Sequence, residues 1–388
     1  MVQLNPHFKE LKREYIFPII EEKLMTLQAS SLVPIVNLGI GDVALPLAKT
    51  VAEAIAKSAD EMTSFEGMHG YGPSEGYLFL REAIAKVSYP LNLISPSEIF
   101  ISEGINQDCT QLIELFDLSV KIGIPSPTYP AYLDNALLAG RKEHIHLIPC
   151  LEENGFIPQI PDIHLDVIYL CTPSNPAGVA MNRDALTAWV EYAKKEKAIL
   201  LIDHAYEAFI SSSDIPRSIY DIPGAKEVAI EMRSFSKAAG FTGLRCAYSV
   251  IPCELMDGKI HALWKKRQSI KSNGVSYITQ RAAESALSPQ GLLETRAQIQ
   301  HYLSQAKILM SGLDQLNLTY FGGVNAPYIW VKVPSGKTSW EFFDTLLNSC
   351  HILSIPGSGF GAHGEGFIRL STFTTQANLA VERLCLLK

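Results

Sequence analysis

The sequence predicts an α/β fold: a large domain with a mostly parallel sheet sandwiched by helices, plus a smaller α+β domain. Three observations predict it. Short, largely apolar runs recur between residues 99 and 250, each closed by proline or a polar residue, as strands buried on both faces of a parallel sheet require. Stretches of helical period separate them, the alternation that builds βαβ units. After about residue 285 the texture changes to long helices with scattered short strands. The 388 residues exceed the ~150 usual for one domain. Residues 36–284 are therefore assigned to the large domain, and residues 1–35 and 285–388 to an N-terminal arm and small C-terminal domain.

Along the chain, Thr50 to Ala59 reads as an amphipathic helix. Ile99 to Ser102 is a strand and Ile105 to Phe116 the helix after it. Val120 to Ile124 is a strand that Pro125 ends, and Val167 to Cys171 another that Pro173 ends. Arg183 to Lys195 is a helix. Ala198 to Asp203 is short and almost wholly apolar, so it is a strand covered on both faces. Val228 to Met232 and Cys246 to Val250 add two more. In the C-terminal part, Leu292 to Leu313 is a long helix and Tyr328 to Val333 a strand. Ser339 to Leu347 is a helix, with strands near Ile352 and over Phe367 to Leu370.

Apolar residues make up 47% and charged residues 19%, which fits a globular chain with a sizeable core. The net charge of −7 argues against a nucleic-acid partner, which wants a basic face. The first fifteen residues mix acids and bases without an apolar stretch, so no signal peptide is expected. No apolar run reaches the ~18 residues that span a bilayer, and no membrane partner is expected. Seven scattered cysteines form no CxxC pair, which points to reduced thiols in the cytoplasm. No Cys/His spacing suits zinc, and no metal is expected.

Ligands of open α/β sheets bind beyond the carboxyl ends of the strands, so the polar residues after the strands are the ones to inspect. Ser234-Phe235-Ser236-Lys237 leads through Gly240 and Gly243 to Arg245. A lysine flanked by hydroxyls and glycines, with an arginine eight residues on, suits a Schiff-base amine beside an anion site. The same segment also suits a solvated surface loop. Asp203 separates the two readings. It ends an apolar strand, where a carboxylate can hold a pyridine nitrogen protonated or serve as a helix cap or ion-pair partner. Tyr206 follows one helical turn later. Asn175-Pro176-Ala177-Gly178 is a turn by composition, placed where Asn175 can donate to a phenolic oxygen. Tyr129 can present its face to an aromatic ring or pack as a core tyrosine. Gly104-Ile105-Asn106 opens a helix whose free N–H groups seat a phosphate. Arg369 stands where an apolar residue is expected and calls for a carboxylate partner.

Taken together, Asn175-Pro176-x-Gly178, Asp203-x-x-Tyr206, Ser234-x-Ser236-Lys237-x-x-Gly240-x-x-Gly243-x-Arg245 and Arg369 resemble the fold-type I aminotransferases of the aspartate aminotransferase class, which depend on pyridoxal 5'-phosphate (PLP). Finer motifs resemble the LL-diaminopimelate aminotransferase family. They are Tyr15-Ile16-Phe17-Pro18, Leu38-Gly39-Ile40-Gly41-Asp42, Tyr129-Pro130-Ala131-Tyr132, Pro216-Arg217-Ser218-Ile219, Asn325-Ala326-Pro327-Tyr328 and Pro356-Gly357-Ser358-Gly359-Phe360-Gly361.

The resemblance implies transamination between LL-2,6-diaminopimelate and 2-oxoglutarate, giving tetrahydrodipicolinate and L-glutamate or the reverse, in lysine and peptidoglycan-precursor synthesis. It implies that Lys237 carries PLP and moves the proton. Asp203 pairs with the pyridinium and Tyr129 stacks on the ring. Asn175 and Tyr206 bond the phenolic oxygen. Ser234, Ser236, Arg245 and the N–H groups of Ile105 and Asn106 hold the phosphate. Arg369 binds the α-carboxylate, and Tyr15 and Gly41 line the substrate site. It further implies a homodimer with shared sites, in which Tyr71 reaches the other subunit's phosphate and Asn273 its substrate.

Two positions depart from the family's pattern. The family usually reads Tyr-Gly-x-Glu-x-Gly, whereas this chain reads Tyr71-Gly72-Pro73-Ser74-Glu75-Gly76, and Asn106 stands where the family usually has lysine. Losing polar contacts at the substrate's far end relaxes specificity. The rival readings are another class I/II aminotransferase for aromatic or other amino acids, a PLP carbon–sulfur lyase on the same scaffold, and a binding protein without turnover. The presence of Lys237, Asp203 and Arg369 together speaks against the last.

Overall fold

Seven strands between residues 99 and 250 make the largest sheet of the computed structural model, which describes residues 2–11, 16–30, 33–89, 91 and 93–387. After a short strand β1 (Val36–Asn37) come β2 (Ile99–Ser102), β3 (Ile122–Ser126), β4 (Ile145–Pro149), β5 (Val167–Cys171), β6 (Ile199–Asp203), β7 (Ala229–Ser234) and β8 (Ala247–Val250). Their order is β2-β8-β7-β6-β5-β3-β4. Strands β3 to β7 pair in parallel, and β8 runs antiparallel between β7 and β2. The sheet is therefore mostly parallel, as the apolar runs predict.

Alternation along these strands explains why they are apolar on both sides. Val167, Tyr169, Ile199, Leu201, Ile230 and Met232 enter one buried layer with Tyr132 and Trp264. Ile168, Leu170, Leu200 and Ile202 enter the other, against Leu80, Leu186 and Trp189. Helices thus cover both faces, and burying each such aliphatic side chain stabilises the fold by about 1.5–3 kcal/mol. In the C-terminal part, β9 (Tyr320–Gly322), β10 (Tyr328–Lys332), β12 (Ile355–Pro356) and β13 (Phe367–Ser371) form an antiparallel sheet in the order β12-β13-β10-β9. It packs on the helices Pro289–Gln315, Ser339–Cys350 and Ala377–Leu384 through Leu309, Phe342 and Ala380. The strand β11 (Ile352–Leu353) pairs in parallel with β1, and Ile16 and Ile20 of the helix Ile16–Ser30 pack with Trp330 and Phe343.

Two expectations need correction, and one strand was not expected at all. Pro125 does not end its strand: β3 continues to Ser126. Beyond Gly123 it is paired with β4 alone, so the missing proline N–H leaves no bond to β5 unmade. The helix expected over Ile105 to Phe116 stops at Leu112, followed by a tighter turn over Ile113–Leu115. The buried Arg141 takes the closing carbonyls, donating to those of Ile113 at 2.9 Å and Phe116 at 2.7 Å. Strand β4 carries no apolar alternation because it is an edge strand, mostly half-buried or exposed. All seven cysteines are free thiols. Among the described residues no helix is long and apolar enough to cross a membrane.

Candidate active site

The carboxyl ends of β5, β6 and β7 bring Cys171, Asp203 and Ser234 to one edge of the sheet: Cys171 is in register with Asp203 and Asp203 with Met232, two residues before Ser234. They open onto a cavity of about 270 Å³. The cavity lies where the strand order reverses: the chain goes outward from β3 to β4, then returns to β5 on the inner side. Tyr129 enters it from the segment after β3, and Asn175 from the turn after β5.

One end of the cavity is built for an anion. Ser234 caps the short helix Phe235–Ala238, its hydroxyl accepting from the Ser236 N–H at 3.0 Å. Pairing of Ser234 and Ser102 with Ala247 delivers Arg245, two residues before β8, between these strand ends. Arg245 donates to the Thr242 carbonyl at 3.1 Å and the Ser236 hydroxyl at 3.4 Å. Its backbone is left-handed, φ 61°, a conformation that costs a side-chain-bearing residue about 1–3 kcal/mol and recurs at functional sites. Opposite stands the helix Ile105–Leu112. Gln107 and Asp108 already donate to the Gly104 carbonyl, so the N–H groups of Ile105 and Asn106 have no acceptor among the described residues.

The reactive groups sit beside this end. Lys237 donates to the Gly41 carbonyl, and its ammonium lies 5.5 Å from the Phe373 ring centre. Burial pushes the amine down to about 8, with Arg369 and Arg245 acting the same way and Asp42 opposing them. Asp203 is buried. The Tyr132 hydroxyl donates to one of its oxygens and the Ala205 N–H to the other at 2.9 Å. Burial raises its carboxyl above the ordinary range, and those two donors, together with the neighbouring His204, hold it back. No lysine or arginine among the described residues pairs with it, so a protonated ring nitrogen would meet a carboxylate free of an ion-pair partner.

A second unpaired charge is Arg369. It is buried, donates to Asn175 Oδ1 at 2.6 Å and the Gly39 carbonyl at 2.8 Å, and leaves its Nε without a partner. The rings of Tyr328 and Phe360 flank it at 4.4 and 4.8 Å. No carboxylate among the described residues reaches it. With Oδ1 committed, Asn175 has its amide N–H groups left to give. The hydroxyls of Tyr206 and Tyr328 lie 3.0 Å apart, and burial keeps Tyr206 protonated by pushing its hydroxyl well above the usual range. Glycine is required at position 41, since a Cβ there would stand 2.3 Å from the Tyr328 hydroxyl.

The structure thus places Ile105, Asn106, Tyr129, Asn175, Asp203, Tyr206, Ser234, Ser236, Lys237 and Arg245 on one cavity, with Gly41 and Arg369 bonded to its residues. Tyr71 and Asn273 are not among them. Both are exposed and line a separate surface groove beside Tyr77 and Tyr277. Tyr15 lies outside the described residues. Sequence reasoning assigned no role to Tyr132, Tyr328 or Asp42, although each stands in a motif it quoted. Tyr132 meets Asp203, Tyr328 meets Tyr206, and Asp42 acts through charge on Lys237, all across chain separations that hide the pairing. Around the displaced acid, Glu75 is held by Lys265 at 3.1 Å and by the Ser74 hydroxyl at 3.2 Å. These contacts outweigh the opposing effect of its burial and keep it below the usual carboxylate range.

The family model for aminotransferase class I and II matches residues 33–384 of this chain. An LL-diaminopimelate aminotransferase of Parabacteroides distasonis is 44% identical, with 96% of each chain covered. Another, of Lawsonia intracellularis, is 44% identical over 99% of this chain and 98% of that protein. Among solved structures, the L,L-diaminopimelate aminotransferase of Chlamydomonas reinhardtii superposes with a TM-score of 0.94 at 38% identity, covering 99% of this chain and 98% of that one.

Proposed function

The chain belongs to the class I and II aminotransferases, and from that membership we propose that it transfers an amino group between LL-2,6-diaminopimelate and 2-oxoglutarate in lysine and peptidoglycan-precursor synthesis. Two near-full-length relatives bear the name LL-diaminopimelate aminotransferase. The observation in the site that carries the reading is two buried charges without protein counter-ions, Asp203 and Arg369, around an amine pushed down to about 8. Such charges are strongly unfavourable unless a ligand completes them.

The donor set fits PLP. Ser234, Ser236, Arg245 and the N–H groups of Ile105 and Asn106 would hold the phosphate, Asp203 the ring nitrogen, and Asn175 and Tyr206 the phenolic oxygen, with Tyr129 against the ring. When bound, PLP supplies the carbonyl that carries the amino group and a ring that accepts electron density from the substrate. Lys237 takes the proton from the substrate Cα and returns it one position away, and an amine near 8 is poised to do both. Arg369 orients the substrate by its α-carboxylate, a bidentate match for the planar guanidinium. Asp203 keeps its proton partner charged because no other cation competes for it.

Two finer readings go with this one. We infer a cytoplasmic homodimer in which the exposed Tyr71 and Asn273 complete the partner's cavity. We also infer a broad donor range: Asn106 in the cavity carries no charge, and Glu75 is already committed to Lys265. The deciding experiment is an absorbance titration of the PLP-loaded protein with LL-diaminopimelate, then with 2-oxoglutarate. The reading expects a spectral change with the first that the second reverses. A spectrum that stays unchanged with LL-diaminopimelate but responds to an aromatic donor would assign the site to another aminotransferase.

A further inference from the structure

Two carboxylates line the cavity, and only Asp203 has a role in the chemistry described so far. Asp42 is the other. It is exposed and stands on the segment Gly39–Asp42, which the site uses twice: the Gly39 carbonyl accepts from Arg369 and the Gly41 carbonyl from Lys237. One of its oxygens, Oδ1, accepts from the Val43 N–H at 2.7 Å, which fixes the side chain. Its other oxygen has no donor, and no cation lies within ion-pair distance, among the described residues.

We propose that Asp42 is a specificity-determining residue that receives a cationic group at the far end of the amino donor. The proposal rests on the transamination reading above. Arg369 marks the α-carboxylate end of the substrate, and Lys237 must stand at its Cα. The segment that touches both groups continues to Asp42, three residues beyond Gly39 and so at most about 10 Å of chain away. That is within the reach of a seven-carbon diamino dicarboxylate. Asn106 and Ser74 carry no charge and Glu75 is held by Lys265, so Asp42 is the anionic group left on this cavity for a distal ammonium. The same carboxylate repels the distal carboxylate of L-glutamate. Asp42 therefore discriminates between the two donors by the distal ammonium that LL-diaminopimelate carries beside its distal carboxylate and that L-glutamate lacks, while Arg369 and Lys237 treat their α-ends alike.

The test is Asp42→Asn in the PLP-loaded enzyme, with kcat and KM measured for LL-diaminopimelate and L-glutamate, and for L-lysine and L-norleucine, which differ only by the distal ammonium. At an exposed position an ion pair is worth up to about 1 kcal/mol, or about fivefold. The substitution should therefore raise KM for LL-diaminopimelate about fivefold and lower KM for L-glutamate, while any change in kcat, since Asp42 also raises the Lys237 amine, should be common to both donors. The lysine-to-norleucine ratio should fall by a similar factor. In the wild type that ratio should shrink as salt is added, since exposed charges are screened. An unchanged lysine-to-norleucine ratio in Asp42→Asn, or KM rising alike for the diamino and dicarboxylic donors, would overturn the assignment. A wild type that ignores LL-diaminopimelate yet loses its preference for lysine over norleucine on substitution would sink the transamination reading and leave Asp42 standing.

Discussion

Gly104→Ala isolates the anion end of the cavity. A Cβ built on Gly104 would lie 2.5 Å from Arg245 Nη2 and 3.6 Å from its Cζ. Ordinary contact needs about 3.5–4 Å, so the guanidinium must retreat by about 1 Å. It cannot do so freely, because its Nη1 bonds the Thr242 carbonyl and the Ser236 hydroxyl. Retreat therefore withdraws Arg245 from the phosphate it is placed to hold. A charge-assisted hydrogen bond is worth about 1.5–3 kcal/mol, so PLP should bind about tenfold to a hundredfold more weakly. The backbone does not object: Gly104 has φ 167°, extended and open to alanine. Thermal unfolding of the apo-protein should shift by less than about 2 °C, while the PLP dissociation constant, measured by absorbance titration, rises. Inorganic phosphate should lose its ability to compete with PLP by a similar factor. An alanine variant that binds PLP as tightly as the wild type refutes the placement of Arg245. One whose apo-form melts early shows the effect to be structural.

Capture of PLP by the apo-protein should accelerate as pH rises from 7 to 9, with its midpoint near 8, because burial lowers the Lys237 amine to about 8 and only the neutral amine attacks a carbonyl; a flat profile by stopped-flow absorbance would count against a buried amine. Asp203→Asn should keep the fold and lose most of the single-turnover rate, since an amide cannot hold the ring nitrogen protonated; an unchanged rate removes Asp203 from the reaction. Installing Glu at position 74 and Lys at position 106 should narrow the donor range toward LL-diaminopimelate by about one to two decades in relative kcat/KM, at about 1.5–3 kcal/mol per charged contact; unchanged selectivity ends the argument from those positions. Mixing inactive Lys237→Ala chains with inactive Tyr71→Phe or Asn273→Ala chains should restore part of the activity, because one site of the mixed dimer carries neither lesion; a fully active monomer by light scattering excludes shared sites.

The central strands were legible because burial on both faces leaves them no polar alternation to hide behind: Ile199-Leu200-Leu201-Ile202 is a strand on composition alone. Strand β4 was not, since an edge strand exposed along most of its length carries no such stamp. The helices Ala131–Leu138 and Lys259–Lys271 also passed unread. The first is short, and the second exposes most of its residues, so neither shows a clean apolar stripe. Arg369 was legible as a charge in an apolar strand, an anomaly that only function or a buried partner explains. The tyrosines were not. Tyr132 and Tyr328 stand among apolar neighbours, and what distinguishes them from core residues is a hydroxyl partner 71 or 122 residues away.

That difference follows from how the site is made. A residue that breaks the local pattern announces itself from its neighbours, and Asp203, Lys237 and Arg369 all do so. A residue that fits the local pattern and acts through a distant partner can be read only once the topology is known. Here the topology is the register of β5, β6 and β7, which sets Cys171 and Asp203 abreast with Ser234 two residues past Met232 at the same sheet edge, and the return of β8, which sets Arg245 against the Gly104 turn. The breakers are the charged groups that lack counter-ions in the protein, and the fitters are the uncharged groups that hold them: Tyr132 on Asp203, Asn175 and the Tyr328 ring on Arg369, the Gly41 carbonyl on Lys237. A charge that must stay available to a ligand cannot be neutralised by the protein, yet it cannot be left unsolvated either. Neutral hydrogen-bond donors and acceptors meet both conditions, which is why the supporting residues look like ordinary core and loop positions in the sequence.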